Sequence, residues 1–100
     1  MLNINETKNG ASLVLALEGR LDTSTAPQLE EKVNGSIEGV SDFEFDFSKL
    51  EYISSAGLRV LLSTQKTMNK QGKLVIKNVS DEVMEIFDVT GFSDILTIEQ

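Results

Sequence analysis

The feature that most limits what this chain can fold into is a change of period between residues 42 and 68. Asp42-Phe43-Glu44-Phe45-Asp46-Phe47 alternates strictly between acidic and aromatic side chains. A period of two is that of a half-buried strand. Downstream, Leu58, Leu61, Leu62, Gln65 and Met68 recur at the spacing of one helical face. Ser54 and Ser55 fall where strand gives way to helix. Serine caps helix starts well, because its oxygen accepts from first-turn N–H groups that have no intrahelical partner. Such an end also carries roughly half a positive charge and favours anions, so a phosphate on a serine here would meet favourable electrostatics. Two serines in this place also serve simply as caps, and local geometry does not separate a capping hydroxyl from a modified one. Gly57, in the first turn, costs about 1 kcal/mol relative to Ala. That choice is easier to understand if another backbone, or a partner, comes close.

The rest of the chain continues the alternation of elements. Leu2 and Ile4 mark a short strand within residues 1–9, and Asn9-Gly10 is a turn signal. Ser12 to Leu17 is a nearly unbroken apolar run, read as a central strand buried on both faces and paired with the first as a hairpin. Asp22-Thr23-Ser24-Thr25 is rich in capping oxygens, and Asp22 reads first as a turn or cap residue. A helix is predicted from about Thr25 to Asn34, with Pro27 in its first turn, Glu30 and Glu31 early, and Gly35 and Gly39 at its exit. The Ser54 helix runs to about Asn69. Leu74-Val75-Ile76 is another inner strand. Ser80 caps a helix whose core face is Val83, Met84, Ile86 and Phe87, closed by Gly91; Ile95, Leu96 and Ile98 form a last edge strand. The order β-β-α-β-α-β-α-β predicts one α/β domain over residues 1–100, with right-handed crossovers and a mixed, mostly parallel sheet. Functional loops then belong at the carboxyl ends of the parallel strands, and Gly19–Ser24, Ser48–Gly57 and Asn78–Asp81 are the candidates.

Composition removes several classes of function. One hundred residues with 40% hydrophobic content suffice for one core. No apolar stretch is long enough to span a membrane, and the start lacks the basic-then-apolar pattern of a secretory signal. The chain contains no cysteine and no histidine. Disulfides, thiolate or imidazole metal ligands, and histidine-based triads are therefore ruled out, and a cytoplasmic location is expected. A net charge of −7 opposes nucleic acid and anionic lipid and suits a basic protein partner. A phosphotransfer receiver with Asp46 as acceptor would need an acidic metal pocket and a suitably placed lysine, which Lys73 and Lys77 match poorly. Asp46 is read instead as supporting the loop that carries the serines. Leu58 reads as core. Arg59 opposes the helix dipole, which makes it a candidate contact for a carboxylate or phosphate.

Three motifs in order resemble the STAS domain family, and within it the bacterial anti-sigma-factor antagonists. They are Gly19-Arg20-Leu21-Asp22, the run Asp46 to Leu58, and Phe87-Asp88-Val89-Thr90-Gly91-Phe92. The resemblance spans almost the whole chain. It implies a non-enzymatic module without cofactor or metal that acts by partner switching. The unphosphorylated antagonist binds an anti-sigma factor, itself a serine kinase, and so releases sigma. Phosphorylation of one serine ends the complex, and a PP2C-type phosphatase restores it. Alignment of the motif places the phosphoacceptor on Ser55. Ser54 stands where many members have Asp, which removes a local charge and supplies a second candidate hydroxyl. Asp22, Thr23, Ser54, Ala56, Gly57, Leu58 and Arg59 would form the partner contact, and the free protein is expected to be a monomer. The family also implies an alternative, a sensor or scaffold module that binds a nucleotide or other small ligand. The chain has no Gly-rich phosphate-cradling loop to favour it.

Overall fold

The computed structural model of the protein describes residues 2–99; Met1, counted above with the first strand, lies outside them. Strand β1 (Leu2–Asn9) and strand β2 (Ser12–Leu21) form an antiparallel hairpin in which Asn9 faces Ser12. The two-residue turn is therefore Gly10-Ala11, one position later than Asn9-Gly10, and Gly10 takes the positive φ of +62° that the turn requires. Helix α1 (Ala26–Ser36), β3 (Asp42–Ile53), α2 (Ser55–Met68), β4 (Lys73–Lys77), α3 (Asp81–Thr90), a 3-10 turn (Phe92–Asp94) and β5 (Ile98–Glu99) follow. The strands lie in sequence order, β1-β2-β3-β4-β5, and every pairing after the hairpin is parallel. No helix among the described residues is long and apolar enough to cross a membrane.

Sequential parallel order has a consequence for the layers. Right-handed crossovers that always step the same way set every helix on the same face of the sheet. Leu13, Leu15, Leu17 and Leu21 of β2, Phe43, Phe45 and Phe47 of β3, and Leu74 and Ile76 of β4 are buried beneath the helices. The alternate residues Val14, Ala16, Glu44, Asp46, Val75 and Lys77 are only half-buried. β2 is thus covered on one face, not two. Its second face is small and apolar at Val14 and Ala16; Glu44, level with Val14 on β3, pairs with Lys77 of β4 at 3.3 Å.

The core gathers Ala26, Leu29 and Val33 from α1, Leu58, Leu61 and Met68 from α2, and Val83 and Phe87 from α3. A ladder of rings runs through it. Phe43 and Phe45 lie 4.9 Å apart between centroids, Phe45 and Phe47 5.7 Å, and Phe47 and Phe87 6.4 Å. These tilted pairs add about 0.5–1.5 kcal/mol each beyond their buried area.

Three boundaries differ from the sequence reading. Helix α1 reaches Ser36, so Gly35 lies inside it and only Gly39 marks the exit; its first turn carries no acid, since Glu30 and Glu31 fall later. Strand β5 is two residues long, because Phe92–Asp94 coils into the 3-10 turn and leaves Ile95 exposed. Strand β3 continues for six residues past Phe47, so Ser48 to Ile53 is strand and not loop.

Candidate functional site

The extension of β3 builds the site. Its register against β2 slips twice, between Ala16/Glu18 and between Gly19/Arg20, and each time β3 carries the extra residue. Two bulges therefore replace strict alternation, and Phe47, Leu50 and Ile53 all reach the core at a spacing of three. Asp46 secures the first bulge. Its Oδ1 accepts from the Ser48 N–H at 2.9 Å and from Asn78 Nδ2 at 3.1 Å. Burial works to raise its pKa, but the Ser48 N–H and the Asn78 amide outweigh it and hold the carboxyl below its usual value. The expected support of the serine loop by Asp46 takes a different form. The carboxylate hydrogen-bonds neither Ser54 nor Ser55, which lie roughly 20 Å farther along the strand.

The third candidate loop is set back from the serines in the same way. β4 ends level with Asp46, where Lys77 pairs with it, so Asn78–Asp81 opens short of the serines. β2 and β3 run on past the end of β4 to the site. Their last link is the Ser54 N–H donating to the Leu21 carbonyl at 2.8 Å. That bond brings Asp22 and Thr23 beside the start of α2. The turn they open is tightly knit. Asp22 Oδ1 accepts from the Ser24 hydroxyl at 2.8 Å and from the Ser24 and Thr25 N–H groups at 3.0 and 3.1 Å. The Ser24 hydroxyl, then the backbone donors, hold the Asp22 carboxyl below its usual range. Buried Thr25 closes the loop by donating to the Arg20 carbonyl at 2.9 Å. Thr25 is a supporting residue that the capping-rich run signalled without singling out.

The two serines separate at the helix start. Ser54 is the N-cap, in extended conformation, and its Oγ accepts from the Gly57 N–H at 3.4 Å. Ser55 is the first helical residue. It is exposed, and its hydroxyl has no hydrogen-bond partner among the described residues. Ala56 is half-buried against the core. Gly57 is buried, and the reason is internal: a Cβ there would lie 2.7 Å from Leu21 Cγ and 3.0 Å from Ile53 Cγ1. Leu58 is 5% exposed and belongs to the core. Gly57 and Leu58 therefore hold the site from beneath and present no side chain to a partner. Arg59 is exposed, one helical turn from Ser55 on the same face, and makes no ion pair among the described residues. The outward surface of the site is thus Thr23, Ser55 and Arg59, edged by half-buried Asp22, Ser54 and Ala56. Beside it, on the uncovered face of the sheet, the Arg20 guanidinium lies 4.4 Å from the centre of the Tyr52 ring. Sequence reading missed this pair, because only the two bulges bring those positions into register.

Fold and site together define a class: a small α/β module with helices on one face and an unengaged hydroxyl at the head of its second helix. The chain belongs to the STAS domain family, whose model matches residues 3–100. It is 32% identical over 98 residues to the anti-sigma-B factor antagonist of Bacillus subtilis, an alignment covering 97% of this chain and 90% of that one. Among solved structures it resembles an anti-sigma factor antagonist from Mycobacterium paratuberculosis, with a TM-score of 0.87 at 20% identity over 99% of this chain and 86% of that one. It also resembles the Bacillus cell fate determinant SpoIIAA in its phosphorylated form, with a TM-score of 0.76 at 19% identity over 98% and 92% of the two chains.

Proposed function

We propose that this protein is an anti-sigma-factor antagonist, a non-enzymatic binding module controlled by phosphorylation of Ser55. Unmodified, it binds an anti-sigma factor through the surface around Ser55, Thr23 and Arg59, and the sigma factor is released. The anti-sigma factor acts as a serine kinase on Ser55, and a PP2C-type phosphatase reverses the modification. The free protein is a cytoplasmic monomer. The relationship to the Bacillus antagonist over nearly the whole chain supports the class of partner. The observation that carries the switch is Ser55 itself, which is exposed, at the first position of α2, and unengaged.

Ser54 is the poorer acceptor, because its oxygen already serves the Gly57 N–H. The first turn of α2 contains no acidic residue, so a phosphate on Ser55 meets the helix dipole without repulsion from the helix itself. Phosphorylation adds about −1.5 to −2 charges and three acceptor oxygens. That group fits the helix end yet obstructs a close-packed contact, so no large internal change is required. The test is incubation with the cognate kinase and ATP, followed by mapping of the product by mass spectrometry. Ser55→Ala is expected to abolish phosphate incorporation and Ser54→Ala to leave it intact. Equal incorporation into the Ser55→Ala variant would assign the switch to another residue.

A further inference from the structure

Charge is spread unevenly along the chain. Residues 78–100 hold six Asp or Glu and no Lys or Arg, whereas residues 1–77 hold ten acidic and nine basic residues. The segment from α3 to β5 therefore supplies almost all of the net charge. On α3, Glu82, Ile86 and Val89 succeed one another at helical spacing, with Glu85 alongside. With Thr90 they line an open groove of about 330 Å³. Val89 is 79% exposed and Ile95, just past the 3-10 turn, 50%; among the described residues these are the exposed large hydrophobics. Glu82, Glu85 and Asp88 make no ion pair among the described residues. An apolar floor thus runs between carboxylates that have no internal counter-charge.

We propose that this face of α3 docks a basic amphipathic helix of a protein partner. Charge selects the occupant. A second copy of this chain would set the same carboxylates against each other, and an anionic membrane would be repelled. A helix with an apolar stripe flanked by Lys or Arg satisfies both features: its anchor covers Ile86 and Val89, and its cations meet Glu82, Glu85 and Asp88. The groove shares no residue with the surface around Ser55, so docking there is independent of the modification of that serine.

The test is titration of the isotope-labelled full chain with a synthetic amphipathic helix of leucines at helical spacing and lysines elsewhere, followed by amide chemical shifts. A peptide with glutamates in place of the lysines is the control. The lysine peptide is expected to shift residues 82–90, the glutamate peptide to shift none, and added salt to weaken binding. Val89→Ser is expected to weaken the lysine peptide about tenfold, the effect of uncovering one aliphatic anchor. Glu82→Gln combined with Glu85→Gln is expected to weaken it while leaving Tm near that of the parent. Shifts centred elsewhere on the molecule would overturn the proposal, as would undiminished binding to Val89→Ser. A dimer seen by sedimentation and dissolved by Val89→Ser would also overturn it, by assigning the face to a second copy.

Discussion

At the head of α2 two neighbouring serines face different surroundings, and each has its own expected phenotype. Ser54 Oγ satisfies a first-turn N–H. Ser54→Ala is therefore expected to lower stability by about 1 kcal/mol, read by denaturant unfolding, without loss of the phosphoacceptor. Ser55 supports no contact of this kind, so Ser55→Ala is expected to leave stability within about 0.5 kcal/mol of the parent. Gly57 has no spare volume above Leu21 and Ile53. Gly57→Ala is expected to destabilise by about 1–3 kcal/mol through overpacking, seen as a lower Tm. A neutral or stabilising result would mean that Leu21 yields freely. At this scale the sequence was informative about the serines, since caps and helix starts are written locally. It was misleading about Gly57. The residue that requires its smallness, Leu21, lies far away in the chain, and only the pairing of β2 with β3 brings it there.

Among the elements, the β2–α1 turn and the bulged half of β3 place the site, and both are held by carboxylates. Asp22 accepts from Ser24 and Thr25 and its pKa is depressed. Its contribution to stability is therefore complete above the ordinary carboxylate range and is lost as pH falls through the depressed value. Asp22→Asn is expected to be less stable than the parent at neutral pH, with the difference shrinking in acid; urea unfolding at a series of pH values measures it. A difference independent of pH would assign the effect to shape alone. Helix α2 and the first half of β3 were legible because their periods are regular. The second half of β3 was not. After Phe47 its inward residues come every third position, at Leu50 and Ile53, which resembles a loop until the bulges are known. The last strand misled in the opposite sense. Ile95, Leu96 and Ile98 read as a full edge strand, yet the 3-10 turn consumes the segment and leaves two paired residues.

For the whole molecule, the order of elements and the parallel sheet followed from the sequence, but the one-sided arrangement of helices did not. A run such as Leu13 to Leu17 reads as buried on both faces whenever the outward residues are small and apolar, as Val14 and Ala16 are here. The one-sided build leaves the helix layer and the strand ends of β2 and β3 as a rigid frame for the surface around Ser55. Phosphorylation is accordingly expected to act at that surface and not by refolding. Amide shifts on modification should concentrate in residues 20–24 and 53–60, and changes spread across β1 and α1 would indicate a global rearrangement. The most direct measurement is calorimetric titration of the purified anti-sigma factor into the unmodified protein and into protein phosphorylated at Ser55. The unmodified protein and the Ser55→Ala variant are expected to bind, with the phosphorylated form weakened about tenfold or more by repulsion and lost fit. Equal affinity of the unmodified and phosphorylated forms would contradict a switch at Ser55.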